Sequence, residues 1–327
     1  MLWLAMSLAF VAALAGPACA ERVRVRVKLD GPLRGEHAIF FVARDKGYLQ
    51  AEGVEMVIEE GGPALNTLLI VSQSKFEFGF ADLPSLVLAR AAGVTVRALA
   101  VVSQKSPWSL VALKGTALAT PRDLEGKVVG VDPGTPSFIF YRALLAAHRV
   151  DRAKITEVPM TRPYPAMLLT RKIQVMPAEI GGEIPELEGA VGAQGLEILR
   201  GTDWGYDVLG GGLFTSLRLL KAAPDVARRF TRAYLRAFRD VIDQPREAVA
   251  ILVRSHPALA ERADLLLRQL EAGIRSTFTS EDTKAHGLGW NPPERWQHTH
   301  DTLLRAGIIA KPINPVTSLY TNEFLGP

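Results

Sequence analysis

The side chains of this chain that could do chemistry gather at five turns, at residues 30–37, 60–63, 81–84, 132–137 and 177–182, where carboxylates sit beside glycines and small hydroxyls. Each follows an apolar alternating segment, and in open α/β sheets the ligand crevice lies at the carboxyl ends of the strands. Gly61-Gly62 and Gly134-Thr135 precede segments that read as helices, where free backbone N–H groups receive an acceptor or an anion. Each of these glycines taken singly is equally well explained as a tight turn. Neither stretch is Gly-x-Gly-x-x-Gly or a P-loop with its Lys, so a nucleotide site has no support. Six histidines raise a metal reading, and His298 and His300 come closest. Residues two apart on a helix face nearly opposite sides, so this pair cannot chelate one ion and reads as solvated. The sequence holds no His-Glu-x-x-His, no cysteine pair and no Gly-x-Ser-x-Gly. Its one cysteine, Cys19, can form neither an internal disulfide nor a thiolate cluster. A hydrolase or redox enzyme would need a constellation that is not here.

The elements that must position these turns follow from periodicity. At 327 residues the chain fits two lobes of about 100 to 200 residues, each able to bury a core. With 48% hydrophobic and 22% charged residues, large-scale disorder is excluded. The net charge of +4 is spread along the chain without a compact basic block, which gives nucleic acid little support as a partner. Val23, Val25, Val27 and Leu29 alternate with Arg24, Arg26 and Lys28, the period of two of a strand with one solvated face. A helix over 38–46 stops at Gly47. Strands at 54–58, 76–80 and 95–102 alternate with helices opened by Pro63 and Pro84, which specifies a largely parallel sheet with helices on its faces. A second, smaller series has a capped turn at Thr120 to Asp123, strands at 127–131, 155–158 and 173–176, and helices at 137–147 and 164–170. After Gly210-Gly211-Gly212 and a strand-like 213–215, helices at 224–242, 245–254, 260–273 and 293–306 complete the chain. The first of them carries Arg228, Arg229, Arg232, Arg236 and Arg239 opposite an apolar face, which reads as a solvated side.

The first twenty residues carry no charge, run apolar from Leu2 to Ala15 and end in Ala18-Cys19-Ala20, which reads as a secretory signal peptide cleaved after Ala20. The apolar run falls short of the about 18 to 20 residues of a membrane anchor. Gly16 stands where a lipobox usually has Leu, against lipidation of Cys19. Cleavage there is expected to leave an exported chain without cysteine.

Three ordered segments carry a family resemblance, with Trp296-Gln297 further on: His37-Ala38-Ile39-Phe40-Phe41-Val42-Ala43-Arg44-Asp45-Lys46-Gly47-Tyr48-Leu49-Gln50-Ala51-Glu52-Gly53-Val54, then Gly79-Phe80-Ala81-Asp82-Leu83-Pro84, then Pro121-Arg122-Asp123-Leu124-Glu125-Gly126-Lys127. With Gly287-Leu288-Gly289-Trp290 and Tyr320-Thr321-Asn322-Glu323-Phe324, they resemble the periplasmic solute-binding proteins of NitT/TauT-type ABC importers, in the branch related to thiamine-pyrimidine binding proteins. The resemblance implies a two-lobed periplasmic-binding-protein fold of α/β class: residues 21–110 and 209–327 form lobe 1 with the C-terminal helices packed on it, and 111–208 form lobe 2. Two hinge crossings, near 108–113 and 206–213, let the lobes close on a small molecule. Carried over by position, the cleft is expected to be lined by His37, Gly61, Gly62, Ala81, Asp82, Ser106 and Trp108 on one side, and by Asp132, Gly134, Thr135, Ser137, Glu179 and Trp204 on the other. Trp108 and Trp204 are expected to sandwich a flat ring, with core packing at the hinge as the alternative. One departure is Arg171-Lys172-Ile173-Gln174-Val175, where relatives usually read Gly-Lys-Val-Asp-Ala; it is expected to border the cleft.

The resemblance implies a monomeric transport receptor without cofactor, metal or catalysis, whose partner is an inner-membrane ABC permease. Related pyrimidine synthases carry a cysteine cluster and a related desulfinase a nucleophilic cysteine, both missing from the mature chain. A sensor lobe serving a membrane receptor shares every cleft feature. Asp82, Asp132 and Glu179, with Arg34 the only arginine at an expected turn, favour a flat amine-bearing heteroaromatic such as a thiamine-type pyrimidine over an alkanesulfonate such as taurine.

Overall fold

The computed structural model describes residues 22–326, so the segment read as a signal peptide lies outside the described residues. The chain begins with β1 (Val23–Lys28), α1 (Ala38–Asp45), α2 (Tyr48–Ala51), β2 (Val54–Glu59), α3 (Ala64–Ser72), β3 (Phe78–Asp82), α4 (Leu83–Ala91) and β4 (Val96–Val101). It then builds β5 (Trp108–Leu113), β6 (Val128–Val131), α5 (Pro136–His148), β7 (Thr156–Pro159), α6 (Tyr164–Leu169), β8 (Val175–Glu179), α7 (Glu183–Val191) and β9 (Leu196–Arg200). It returns through β10 (Gly211–Ser216) into α8 (Leu217–Ala222), α9 (Pro224–Asp243), α10 (Pro245–Ser255), α11 (Ala263–Ser276), α12 (Glu281–His286) and α13 (Pro293–Arg305).

Two five-stranded sheets result, ordered β2-β1-β3-β10-β4 and β7-β6-β8-β5-β9. Each carries one strand antiparallel to both its neighbours, and it is the first strand after a lobe crossing: β5, by which the chain enters the second sheet, and β10, by which it returns to the first. The remaining pairings, β1 with β2 and β3, and β6 with β7 and β8, are parallel. The crossings themselves run side by side. Gly210 N–H donates to Ser103 O at 2.8 Å, and a Cβ on Gly210 would lie 2.6 Å from Ser103 Cβ, so the two connections pack closer than any side chain there allows. Trp108–Leu113, expected to carry the first crossing, lies wholly in the second sheet; the chain changes lobe just before it.

The alternation in β1 works as read: Val25 and Val27 are buried while Arg24 and Arg26 face solvent, Arg26 paired with Glu77 at 3.2 Å. Positive φ at Gly47, +73°, ends α1 where a side chain would strain the turn. The apolar face of α9 covers the sheet, with Phe230 stacked on Phe78 at 4.0 Å and 11°. Its arginine face is solvated but tied down, Arg229 donating to Glu52 O at 2.9 Å and Arg236 lying 4.1 Å over the Tyr48 ring.

Three expectations need correction. His300 is buried, not solvated: Ile313 N–H donates to its Nε2 at 3.0 Å, which places the ring proton on Nδ1, 2.8 Å from Asp301 Oδ1. The spacing Trp296, Thr299, His300, Leu303 is the buried stripe of α13, so the histidine belongs to the core period. The strand expected at 173–176 begins at Val175 and ends at Glu179, which puts the departure at 171–175 at the end of β8 away from Glu179. There Gln174 Oε1 accepts from Val128 N–H at 2.8 Å and serves the sheet. Sequence reading also passed over α7 and β9: Pro185 sits in the first turn of α7, where its missing N–H costs nothing, and β9 is a half-exposed edge strand.

The Phe78–Phe230 stack joins the helical segment to the first sheet. Phe230→Ala is expected to cost about 3–5 kcal/mol, read as a lower urea midpoint; a loss below about 1 kcal/mol would show that this contact does not hold the two together.

Candidate ligand-binding cleft

The turns at the ends of the strands meet around a cavity of about 390 Å³ between the lobes. Lobe 1 contributes the turn after β1 (Asp30, Arg34, Glu36), the turn after β2 (Glu60 to Ala64) and the end of β3 (Phe80, Asp82). Lobe 2 contributes the turns after β6 (Asp132, Thr135, Ser137), β7 (Arg162, Tyr164) and β8 (Glu179, Gly181, Glu183). Because β5 and β10 run antiparallel to their neighbours, their first residues, Trp108 and Gly211, reach the same crevice. Gln269 and Gly273 of α11, with Thr277 and Phe278 beyond it, complete the wall.

Of the thirteen residues expected in the cleft, eight line it: Gly61, Gly62, Asp82, Trp108, Asp132, Thr135, Ser137 and Glu179. Gly61 is there for steric reasons, since a Cβ would fall 1.7 Å from Leu29 O. The other five stand off. Ala81 and Ser106 are buried in the protein, and Gly134 is exposed with φ +88°. His37 lies behind the wall, its Nδ1 accepting from Arg34 N–H at 3.1 Å and its ring edge-on to Phe80 at 5.5 Å; burial and then Arg34 hold its pKa well below the usual value, so it is neutral. Trp204 packs against His148 at 5.5 Å, away from the cavity, so no Trp108–Trp204 sandwich forms. Trp108 instead stacks on Phe140, centroids 6.4 Å apart, and its buried Nε1 has no partner among the described protein atoms.

Arg34 spans the cleft. One amino group of its guanidinium donates to Glu36 of its own lobe at 2.6 Å and the other to Glu179 of the opposite lobe. Burial opposes its charge, but Glu179, Glu36 and Asp30 outweigh that and raise its pKa. Seven carboxylates line the cavity against two arginines, Arg34 and Arg162, the second beyond the sequence expectation. Several of the acids cannot all ionise cheaply in so little water. Burial pushes Asp82 up to about 7, against the pull of Ser85, whose N–H and hydroxyl donate to Asp82 Oδ1 at 3.0 and 2.9 Å. Burial likewise lifts Asp30 to about 6 despite Arg34, and pushes Glu179 up with Glu36 and Glu183 adding to the rise. Tyr164 donates to Asp132, lies 4.8 Å under the Arg162 guanidinium, and is pushed up to about 12 by burial and then that hydrogen bond. The cavity therefore offers carboxyl groups, three of them with raised pKa values, beside the aromatic surfaces of Phe80, Trp108, Tyr164 and Phe278. Among the described residues no group of three His, Cys, Asp or Glu is placed to hold a metal.

Asp30 and Glu60 lay inside turns that the sequence marks, and Arg162 and Tyr164 follow a strand that it marks. Gln269 and Phe278 had no local signal, because they come from α11 and the loop after it, some 240 residues downstream of the β1 turn.

The chain belongs to the NMT1/THI5-like family, whose profile matches residues 34–248. It is 28% identical over 297 residues to a riboflavin-binding protein of Chloroflexus aurantiacus, covering 89% of this chain and 82% of that one. It is 22% identical to a formylaminopyrimidine-binding protein of Halalkalibacterium halodurans, covering 90% of each. The fold is that of periplasmic binding proteins: the alkanesulfonate-binding protein SsuA of Xanthomonas axonopodis pv. citri superposes with a TM-score of 0.66 at 15% identity, over 92% of this chain and 99% of that one.

A carboxyl with a folded pKa near 7 and an unfolded value of 3.8 binds more protons folded than unfolded between those values, so its contribution to stability is full below about pH 4 and is lost as pH rises through about 7. Asp82→Asn keeps an oxygen for Ser85. It is expected to stabilise the protein by about 1–3 kcal/mol at pH 7.5 and to leave stability near pH 4 unchanged. Urea titrations across this range check it; a variant whose stability parallels the parent at every pH would place Asp82 outside this role.

Proposed function

We propose that the chain is the periplasmic solute receptor of an ABC importer and that its ligand is a flat, donor-bearing heteroaromatic of the pyrimidine or flavin kind. The observation that carries this reading is the chemistry of the cavity: an excess of carboxylates over arginines, with the half-buried Arg34 guanidinium already engaged by Glu36 and Glu179. An anionic sulfonate would meet this excess in a low-dielectric space, where unpaired like charges are costly. Ring N–H, amino and hydroxyl groups would instead satisfy acceptors that burial leaves short of partners. The volume, about 390 Å³, falls within the range of about 300–1,000 Å³ in which drug-sized ligands are bound, which favours a substituted or multi-ring compound over a bare single ring. Relatives that carry riboflavin-binding and formylaminopyrimidine-binding names support the same class.

Capture works by closure. Neither lobe alone encloses the cavity, and a ligand stabilises the closed arrangement only by its differential affinity for it. Export through the amino-terminal leader and delivery to an inner-membrane permease complete the proposed role. The buried carboxyls serve in it as binding groups, and no nucleophile or general base is assigned.

Calorimetry on ligand-stripped protein tests the class. Riboflavin or a thiamine-type aminopyrimidine is expected to give saturable heat, and Trp108→Ala to weaken that ligand at least tenfold, or about 1.4 kcal/mol. Micromolar binding of taurine or another alkanesulfonate, with the heteroaromatics silent, would overturn the assignment.

A further inference from the structure

We infer that Gln269 couples ligand capture to lobe closure, its amide oxygen receiving a ligand donor inside the cavity while its amide nitrogen fastens the opposite lobe. This rests on the reading of the cavity as a receptor site for a donor-bearing heteroaromatic. Gln269 lies on α11, in the part of the chain that returns to lobe 1, and is 4% exposed. Its Nε2 donates to Gly182 O at 2.9 Å, on the loop that follows β8 in lobe 2. A carbonyl only accepts, so this bond settles which end of the amide is nitrogen. The other end, Oε1, is buried without a partner among the described protein atoms, on a residue that lines the cavity.

The contact is a place where the lobes meet main chain to main chain. A Cβ on Gly181 would lie 3.2 Å from Gln269 O and 3.8 Å from Gly273 Cα, so the loop and α11 approach as closely as glycine permits. Fastening Gln269 to Gly182 therefore requires the closed arrangement, and closure also withdraws Oε1 from water. An unpaired buried acceptor costs about 1–3 kcal/mol. Opening the cleft hydrates the whole amide and removes that cost. A ligand N–H or O–H placed against Oε1 removes it with the cleft shut. Closure is thus disfavoured around an empty or acceptor-only cavity and favoured around a donor-bearing ligand, which is the differential affinity that a clamp needs. Asp30 Oδ1, also buried without a partner, gives the ligand a second acceptor on the lobe 1 side.

The test uses the full mature chain with riboflavin, a thiamine-type aminopyrimidine and taurine as probes, in the parent, Gln269→Met, Gln269→Asn and Trp108→Ala. Methionine keeps the volume without either hydrogen bond, and asparagine is one methylene too short to serve both partners. Circular dichroism and the probe-free melting temperature establish folding, and if one Gln269 variant fails to fold the other carries the test. Both Gln269 variants are expected to bind riboflavin at least tenfold more weakly than the parent and, at saturation, to lose the decrease in radius of gyration that solution scattering is expected to show for the parent. Trp108→Ala is expected to bind weakly yet still compact at saturation, which separates a lost contact from a lost coupling. A Gln269 variant that binds riboflavin within twofold of the parent, or compacts fully, overturns the coupling and leaves the receptor reading intact. A parent that ignores both riboflavin and a thiamine-type aminopyrimidine, with or without an answer to taurine, overturns both.

Discussion

Arg34 is the charge around which the cleft is arranged. A guanidinium cannot shed its proton in a protein, so burying it between two lobes obliges the surroundings to supply acceptors. Glu36 does so from the same turn and Glu179 from the far lobe, and the second of these pairs exists only when the lobes are together. The remaining carboxylates outnumber the one other arginine of the wall, Arg162. Burial raises Asp30 and Asp82 toward neutral pH.

That arrangement depends on how the chain changes lobe. Two adjacent crossings, hydrogen-bonded at Gly210 and Ser103, feed one antiparallel strand into each otherwise parallel sheet. The reversal is what brings the first residues of β5 and β10 to the crevice beside the last residues of the parallel strands. Trp108 and Gly211 owe their place in the wall to strand direction, and the same crossings form the hinge about which the proposed closure would turn.

The helices after β10 serve both lobes. Their apolar faces complete the first lobe's core, through contacts such as Phe230 on Phe78. The end of α11 also reaches the second lobe, where Gly273 and Gln269 meet Gly181 and Gly182. A segment that packs as core on one side and as cleft wall on the other ties the fold's stability to the shape of the site.

By itself the amino-acid sequence determined the α/β alternation, the strand-end turns and most residues at those turns, because hydrophobic period, proline and glycine act over a few residues and leave a local record. Asp82, Asp132, Thr135, Ser137 and Glu179 were legible in this way. The sequence did not decide which side of a turn would face the cavity. His37, Ala81, Ser106 and Gly134 sit within or beside the right segments and point elsewhere, and Trp204 belongs to lobe 2 packing against His148. His300, two residues from the exposed His298, is buried because Ile313 N–H reaches its ring from the segment after α13. Tertiary structure alone set the Arg34–Glu179 pair, the raised carboxyl pKa values and the position of Gln269. Each of these joins residues more than 50 positions apart or depends on how much water the lobes exclude, and no local pattern in a chain encodes a distance or a dielectric.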